Sequence, residues 1–313
     1  MSLKLTIATR ESRLALWQAN HVKELLEMRG HQIQLLGMTT LGDQILDKPL
    51  SKVGGKGLFI KELEVAIENG SAQLAVHSLK DVPMELPHGF ELACILPRED
   101  PRDAWVSNEF ASIDSLPLGA VIGTSSLRRT VLINAMRPDI KIEPLRGNLD
   151  TRLKKLDDGY YQGIILAAAG LKRLGLSTRI RSEFDTSVML PAAGQGAIGI
   201  EIGSNRPDLV KVLSELNDAE TAIRVYAERG VSRAMGGSCS MPLAAHAILT
   251  QNTLSIRAAW GDHLQEGSRL IYAEHQSVID PKDLNILHTA STMGELVAQK
   301  LIDQGARPSF VVN

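Results

Sequence analysis

A lysine and an aspartate stand next to each other where a predicted strand has just ended. The apolar segment 74–76 predicts a buried strand, and Lys80 and Asp81 follow it shortly before Pro83, which prevents a strand or helix from continuing. Open α/β sheets present their chemistry at such strand ends. A carboxylate placed there can stabilise a cation, but for this segment alone a solvated loop is the commoner explanation.

Arginines and hydroxyl side chains follow a second predicted strand, 121–123. Thr124 follows this strand, and Ser125 or Ser126 opens a helix whose first turn carries Arg128 and Arg129. Positive side chains are unfavourable at the N-terminus of a helix unless an anion lies there. Hydroxyls, backbone N–H groups and guanidinium groups together favour a carboxylate or a phosphate, so the pattern predicts an anion site. The alternative is a capped helix with two exposed arginines.

Further cations occur at predicted strand ends, in loops and at helix starts. Each of them taken alone is explained as well by solvated surface charge. Because their predicted positions share one edge of two α/β domains, they indicate a site for a polyanion in a cleft between those domains. These cations are Arg10, Lys52, Lys56, Lys80, Arg146, Arg152 and Arg173.

Cys239 lies in a turn of small residues, 236–242, which can present a thiol to a ligand. Nearby cations would favour its thiolate, so this residue is a candidate nucleophile or attachment site. Cys94 lies instead in an apolar strand and is expected to be a buried apolar side chain. The histidines show no metal-ligand spacing, so no metal is predicted, and the glycines of 54–57 do not form a phosphate-binding loop pattern.

The pattern of apolar residues predicts two α/β domains and a smaller domain after them. A strand at 3–8, a helix capped by Ser12 and a strand at 33–38 form a β-α-β unit, which indicates a parallel sheet. The pattern restarts after 97–103, a charged segment with two prolines that is expected to be a linker. From residue 219 onward, two helices and three grouped strands predict a small α+β domain.

Length and composition restrict the class of protein. The 313 residues are enough for two or three domains, and 22% charged and 44% hydrophobic residues are ordinary for a soluble globular protein. The net charge of −2 gives no general attraction to nucleic acid or to anionic membranes. No apolar run approaches the roughly 20 residues of a membrane helix, and no signal peptide is expected. The two cysteines are far apart in sequence, so we expect no disulfide framework and a cytoplasmic location.

Taken in order along the chain, many of these segments resemble the porphobilinogen deaminase family, also called the hydroxymethylbilane synthases. The resemblance extends over nearly the whole chain and includes HSLKDVP at 77–83, GTSSLRR at 123–129 and LRGN at 145–148. Further matching segments are 7–12, 15–18, 52–59, 99–103, 169–174, 190–191, 194–197 and the turn around Cys239.

The resemblance implies an α/β fold with two periplasmic-binding-protein-like α/β domains around a cleft, plus a small α+β C-terminal domain. It assigns residues 1–98 with 193–216 to the first domain and residues 99–192 to the second. The third domain, 217–313, carries the cofactor cysteine. The resemblance also implies a monomer.

The resemblance further implies a dipyrromethane cofactor joined to Cys239 by a thioether. Four molecules of porphobilinogen are condensed onto it head to tail, with loss of ammonia, hydroxymethylbilane is released, and Asp81 is the catalytic carboxylate. The implied cofactor contacts are Cys239, Lys80, Ser78, Thr124, Ser126, Arg128, Arg129 and Arg146. The implied substrate contacts are Arg10, Ser12, Arg146, Arg152, Arg173 and Gln195, and the implied loop residues are Lys52, Lys56 and Phe59.

The chemistry of this substrate agrees with the residue types. Each porphobilinogen carries an acetate and a propionate, so the growing chain gains negative charge at every step, and arginine binds such groups in a defined orientation. Loss of ammonia leaves a methylene-pyrrole cation, which a fixed carboxylate such as Asp81 stabilises. Proton transfer by Asp81 stays open as a second role. The competing hypothesis is a non-catalytic anion-binding module, which leaves Cys239 without a role.

Overall fold

The computed structural model describes residues 2–44, 57–237, 241–262 and 270–308. The chain divides into two compact units. The first contains Met1–Glu99 and Ala197–Thr221, and the second contains Asp100–Gly196 and Ala222–Asn313.

Strands and helices alternate through most of the chain. The strands are β1 Lys4–Arg10, β2 Gln32–Met38, β3 Leu74–Ser78, β4 Phe90–Ile95, β5 Asp103–Val106, β6 Val121–Gly123, β7 Lys141–Glu143, β8 Gly163–Ala167, β9 Ser182–Glu183, β10 Ile198–Gly203, β11 Leu243–Thr250, β12 Thr253–Trp260 and β13 Ile271–Val278. The helices are α1 Arg13–Glu27, α2 Leu41–Gln44, α3 Lys61–Glu68, α4 Leu127–Met136, α5 Leu149–Asp157, α6 Ala168–Arg173, α7 Pro207–Ser214, α8 Ala219–Ala234 and α9 Ile286–Asp303. Among the described residues, none of these helices is both long enough and apolar enough to cross a membrane.

The first unit is built on a five-stranded sheet of order β2-β1-β3-β10-β4. β1 runs parallel to β2 and β3, whereas β10 is antiparallel to β3 and β4. The predicted β-α-β unit is confirmed, and α1 begins where the Ser12 side chain accepts a hydrogen bond from the Ala15 N–H. One face of the sheet packs alternating apolar side chains, such as Ile7 and Ile200, against α1 and α7.

The second unit begins with another five-stranded sheet, of order β7-β6-β8-β5-β9. β6 is parallel to β7 and β8, and β5 is antiparallel to β8 and β9. The predicted linker 97–103 is wrong at its end, because Asp103 opens β5 and all four residues of this strand are buried. In β5, Trp105 packs over Gly163, where any Cβ would overlap the indole ring.

The C-terminal part of the second unit is a three-stranded antiparallel sheet, β11-β12-β13, with α8 and α9 packed on one face. The two helices approach closely at Gly230 and Gly294, where a Cβ would overlap the backbone of Ser291 or Ala227. The predicted fold class, two α/β sheets and a small α+β part at the C-terminus, is therefore confirmed. The residue boundaries of the three domains stay a prediction.

A histidine and two glutamates form a buried polar cluster in the first unit. His77 of β3 and Glu201 of β10 lie on the sheet face that α3 covers, and His77 Nε2 is 2.8 Å from Glu201 Oε2. Glu64 of α3 is hydrogen-bonded to Glu201, and burial, together with the Glu201 charge, raises the pKa of Glu64 to about 7. A proton on Glu64 therefore lets the two carboxyl groups share a hydrogen bond near neutral pH.

Glu64→Gln is expected to stabilise the protein at alkaline pH. Because the pKa of Glu64 is raised on folding, its ionisation weakens the folded state progressively between its ordinary value of 4.5 and about 7. The glutamine amide does not ionise, so the variant does not lose this stability. The free energy of unfolding of each protein is measured in urea at about pH 5 and at about pH 8. The difference between the variant and the wild type should shift in favour of the variant by on the order of 2 kcal/mol from the lower to the higher pH.

Glu68→Gln is the matched control, because Glu68 lies on the same helix and is exposed. Its effect on the free energy of unfolding should not change with pH. If the free energies of unfolding of both variants change in parallel with pH, the hypothesis of a proton shared between Glu64 and Glu201 is refuted.

Candidate active site

A single turn of 3-10 helix, Leu79–Asp81, positions Lys80 and Asp81 directly after β3. Leu79 is buried, and its N–H donates to a carbonyl oxygen just before β10, at 3.0 Å. Gly199 makes room for it, since a Cβ there would lie 2.8 Å from Leu79 Cδ1. The buried leucine therefore fixes the turn, while Lys80 and Asp81 stay partly exposed.

Ser78, the last residue of β3, is held by a buried glutamine. Gln18 of α1 donates from Nε2 to Ser78 Oγ at 2.8 Å. Ser12 caps the same helix. The Ser78 hydroxyl is predicted to contact the cofactor and the Ser12 hydroxyl the substrate. Both therefore have defined positions within the first unit.

Arg10 ends β1, and it is paired with a carboxylate of the chain itself. Its Nε lies 3.0 Å from Asp43 Oδ2, its Nη2 contacts Asp43 Oδ1, and the Phe59 ring centroid lies 4.4 Å from the guanidinium carbon. Burial alone would raise the pKa of Asp43, but hydrogen bonds from Arg10 and Thr40 hold it below its usual value. Because β1 and β3 are parallel neighbours, Arg10 lies at the same edge of the sheet as Asp81.

The predicted roles of Lys52, Lys56 and Cys239 fall outside the residues that the structure describes. Cys94 is buried in β4, and burial raises the pKa of its thiol to about 12, as expected for an unreactive side chain. In the described part of the chain, no group of three or more His, Cys, Asp or Glu side chains is arranged to hold a metal ion.

In the second unit, the two predicted anion-binding arginines meet a carboxylate of the chain. Arg128 and Arg129 are only 4% and 6% exposed, so the alternative of two exposed arginines is wrong. Arg128 Nη1 lies 2.7 Å from Asp103 Oδ2, and Arg129 Nη2 lies 2.7 Å from Asp103 Oδ1. Each arginine also donates to a backbone carbonyl, that of Leu190 or of Ile165.

This arginine cluster (Asp103, Arg128 and Arg129) carries one net positive charge in a buried position. Burial alone would raise the pKa of Asp103, but the two arginines hold it well below its usual range, so Asp103 is ionised. One carboxylate balances only one of the two guanidinium groups. In addition, Arg128 Nε has no hydrogen-bond partner among the described residues. The remaining charge and this N–H favour a further anionic group beside the start of α4.

A turn with two left-handed glycines supports the arginine cluster. Gly194 and Gly196 have φ values of 72° and 87°, a region that favours glycine. Gln195, between them, donates from Nε2 to Asp103 Oδ1 at 3.0 Å. Arg173 donates to the Gly196 carbonyl oxygen at 2.7 Å. The predicted substrate residues Gln195 and Arg173 are therefore tied to this turn.

Thr124, Ser126 and Arg146 follow the carboxyl ends of β6 and β7. Ser126 caps α4, Thr124 is buried, and Arg152 donates from Nε to the Gly147 carbonyl oxygen at 2.9 Å. Because β6 is parallel to β7, these strand ends lie at the same edge of the sheet as the arginine cluster. The second unit therefore gathers its predicted anion-binding residues at one edge.

Three polar residues that support the site were not identified from the sequence. Asp103 lies 25 residues before Arg128, and Asp43 lies 33 residues after Arg10, so sequence spacing gives no signal for either pair. Gln18 did have a signal. It occupies the apolar face of α1, where a polar side chain indicates a hydrogen-bonded role.

Two family models match the chain. The model for the dipyromethane cofactor binding domain of porphobilinogen deaminase matches residues 5–211, and the model for the C-terminal domain of porphobilinogen deaminase matches residues 222–303. The described site residues of both units, from Arg10 to Gln195, lie within the first match.

Curated relatives extend the likeness over most of the chain. A porphobilinogen deaminase of Albidiferax ferrireducens is 71% identical over 258 residues, which is 82% of this chain and 82% of the relative. A porphobilinogen deaminase of Burkholderia thailandensis is 56% identical over 305 residues, which is 97% of this chain and 91% of the relative.

Solved structures show a more distant likeness. The methionine binding protein MetQ is 11% identical, with a TM-score of 0.45, over 68% of this chain and 89% of that chain. The periplasmic VFT2 domain of BvgS from Bordetella pertussis is 14% identical, with a TM-score of 0.41, over 69% of this chain and 86% of that chain. Likeness at this level carries no argument about function. On the family models and the curated relatives together, the chain belongs to the porphobilinogen deaminase family.

Proposed function

We propose that this chain is the transferase that condenses four molecules of porphobilinogen head to tail, with loss of ammonia, to give hydroxymethylbilane. The reaction takes place on a dipyrromethane cofactor linked to Cys239 through a thioether. The observation that carries the proposal is the match of residues 5–211 to the dipyrromethane-binding domain of this family. A non-catalytic anion-binding module is the second candidate; it would also account for the arginine cluster, but it gives Cys239 no role.

Asp81 is the catalytic carboxylate in this proposal. Its turn is held by the buried Leu79, so the carboxylate keeps its place while the charge of the substrate changes. When ammonia leaves, the methylene-pyrrole cation is stabilised by a carboxylate that needs no reorganisation. We assign this electrostatic role to Asp81, and a proton transfer by the same carboxylate is compatible with it.

The buried positive charge of the second unit suits the carboxylates of the cofactor. Arg128 and Arg129 share one aspartate, which leaves one guanidinium charge to be balanced by a ligand. The cofactor, when bound, supplies the pyrrole to which the first substrate is joined. We assign its carboxylates to Lys80, Ser78, Thr124, Ser126, Arg128, Arg129 and Arg146, and those of the substrate to Arg10, Ser12, Arg146, Arg152, Arg173 and Gln195.

The remaining assignments follow from the family and from composition. We assign Lys52, Lys56 and Phe59 to a loop that serves the site, and we infer a cytoplasmic monomer that acts on a small molecule. The net charge of −2 supports the absence of a nucleic-acid partner. The three domains are assigned to 1–98 with 193–216, to 99–192 and to 217–313.

Intact-mass measurement tests the covalent cofactor. The purified protein should exceed its sequence mass by two pyrrole units, and Cys239→Ser should lose this excess together with activity. Cys94→Ser is the matched control, because the raised pKa of the buried Cys94 thiol disfavours the reactive thiolate. A wild type without added mass but with full activity would refute the attachment, as would an excess that disappears in Cys94→Ser.

Asp81→Asn is expected to keep the cofactor and to lose turnover. The amide has nearly the same shape but cannot stabilise a cation as a carboxylate does, so kcat should fall by roughly 10²- to 10³-fold. Steady-state kinetics and intact mass on the same preparation check both expectations. Asp114→Asn, at an exposed aspartate of the second unit, serves as the control and should turn over normally. Near-normal turnover of Asp81→Asn would show that the carboxylate is dispensable.

A further inference from the structure

Arg10 and Asp43 form an ion pair of the same geometry that an arginine uses for a free carboxylate ligand. Two nitrogens of the guanidinium face the two oxygens of the aspartate, with Nε 3.0 Å from Oδ2 and Nη2 against Oδ1. This paired arrangement is the one in which arginine binds the acetate or propionate of a small molecule. Asp43 therefore occupies the place that a ligand carboxylate would take on Arg10.

The pair is partly exposed, whereas the other arginine–carboxylate group described above is buried. The side chains of Arg10 and Asp43 are each 23% exposed, whereas Asp103 in the arginine cluster has no exposed surface. Separating a buried pair leaves an uncompensated charge in the interior, but a partly exposed pair contributes little net stability. A ligand can therefore reach and separate the Arg10–Asp43 pair at small cost.

Each partner also has a second anchor that survives the separation. The Thr40 hydroxyl donates to Asp43 Oδ2 at 2.7 Å, and the Thr40 N–H donates to the same atom at 3.3 Å. On the other side, the face of Phe59 supports the Arg10 guanidinium through a cation–π contact. Neither charge is thus left without a neighbour when the pair opens, and Arg10 stays in place to receive another carboxylate.

We propose that Asp43 is an internal competitor for Arg10, which a carboxylate of porphobilinogen displaces when the substrate binds. This inference rests on the proposed function, since it takes Arg10 as a substrate-binding residue. Asp43 neutralises Arg10 while the site is empty and so excludes simple anions, which gain too little from Arg10 alone to displace it. A substrate that also contacts other residues has enough additional binding free energy to do so, and Asp43 therefore determines specificity.

The test compares Asp43→Asn with the wild-type holoenzyme, using inorganic phosphate as a competing anion. The asparagine side chain keeps an oxygen that can accept the hydrogen bonds from Thr40, but it removes the negative charge beside Arg10. The inhibition constant of phosphate should fall by about two- to five-fold, the fold-change that corresponds to a partly exposed ion pair. KM for porphobilinogen should fall in the same sense, while kcat stays within about a factor of two.

Two further variants make the test specific. Glu11→Gln is the matched control, because it removes a negative charge from the residue next to Arg10 in the sequence. The Glu11 carboxylate accepts a hydrogen bond from the Thr39 hydroxyl. This variant should leave phosphate inhibition unchanged. In an Arg10→Gln background, Asp43→Asn should no longer tighten phosphate binding, because the displaced contact is missing.

Unchanged phosphate inhibition in Asp43→Asn would overturn the proposal, and so would a rise in KM for porphobilinogen, which would make Asp43 a supporter of substrate binding. An equal gain in the Arg10→Gln background would overturn it as well. Phosphate binding can also be followed by calorimetry without turnover. A wild type that binds phosphate but does not consume porphobilinogen would therefore contradict the proposed function, and the comparison of Asp43→Asn with it would still decide the role of Asp43.

Discussion

Two guanidinium groups are buried against a single carboxylate in the second unit, and the strand ends around them depend on this arrangement. Asp103 opens β5, while Arg128 and Arg129 form the first turn of α4. Loss of one partner of such a buried pair costs about 3–5 kcal/mol, because the other charge remains in the interior. The positions of β5 and α4 are therefore coupled to each other, and Gln195 couples the 194–196 turn to both.

The first unit holds Asp81, the proposed catalytic carboxylate, by a different physical means. Asp81 stands on a turn whose position is set by apolar packing, with Leu79 seated in the space that Gly199 leaves. The strength of hydrophobic packing does not depend on the charge of a bound ligand, whereas the strength of an ion pair does. A carboxylate fixed in this way can face a ligand whose charge changes during the reaction without losing its support.

Local patterns in the sequence predicted much of this architecture. Ser12 was identified as a helix cap, and Ser125 or Ser126 as the start of another helix, because a hydroxyl before an apolar helix satisfies backbone N–H groups; Ser12 and Ser126 are the caps observed. β5 was missed because proline and charge precede it, and its opening residue is a charged side chain. Burial of that aspartate becomes favourable only with two arginines more than twenty residues away, which no local pattern reports. Asp43 was missed for the same reason, since its partner lies far away in the sequence. Gln18 was missed although its place on the apolar face of α1 indicates a hydrogen-bonded role.

The place of β10 in the first sheet has a consequence for the folding of the chain. This strand pairs with β3 on one side and with β4 on the other, although it follows them in the sequence by about a hundred residues. Until Ile198–Gly203 has been synthesised, β3 and β4 each have an unpaired edge, which is a site of incorrect association in unfinished chains. The sheet of the second unit, by contrast, is built from strands within one continuous stretch, 103–183. During synthesis on the ribosome, that sheet can therefore form before the first sheet is complete. The strands β3 and β4 are made early but can pair with β10 only after the second sheet has been synthesised.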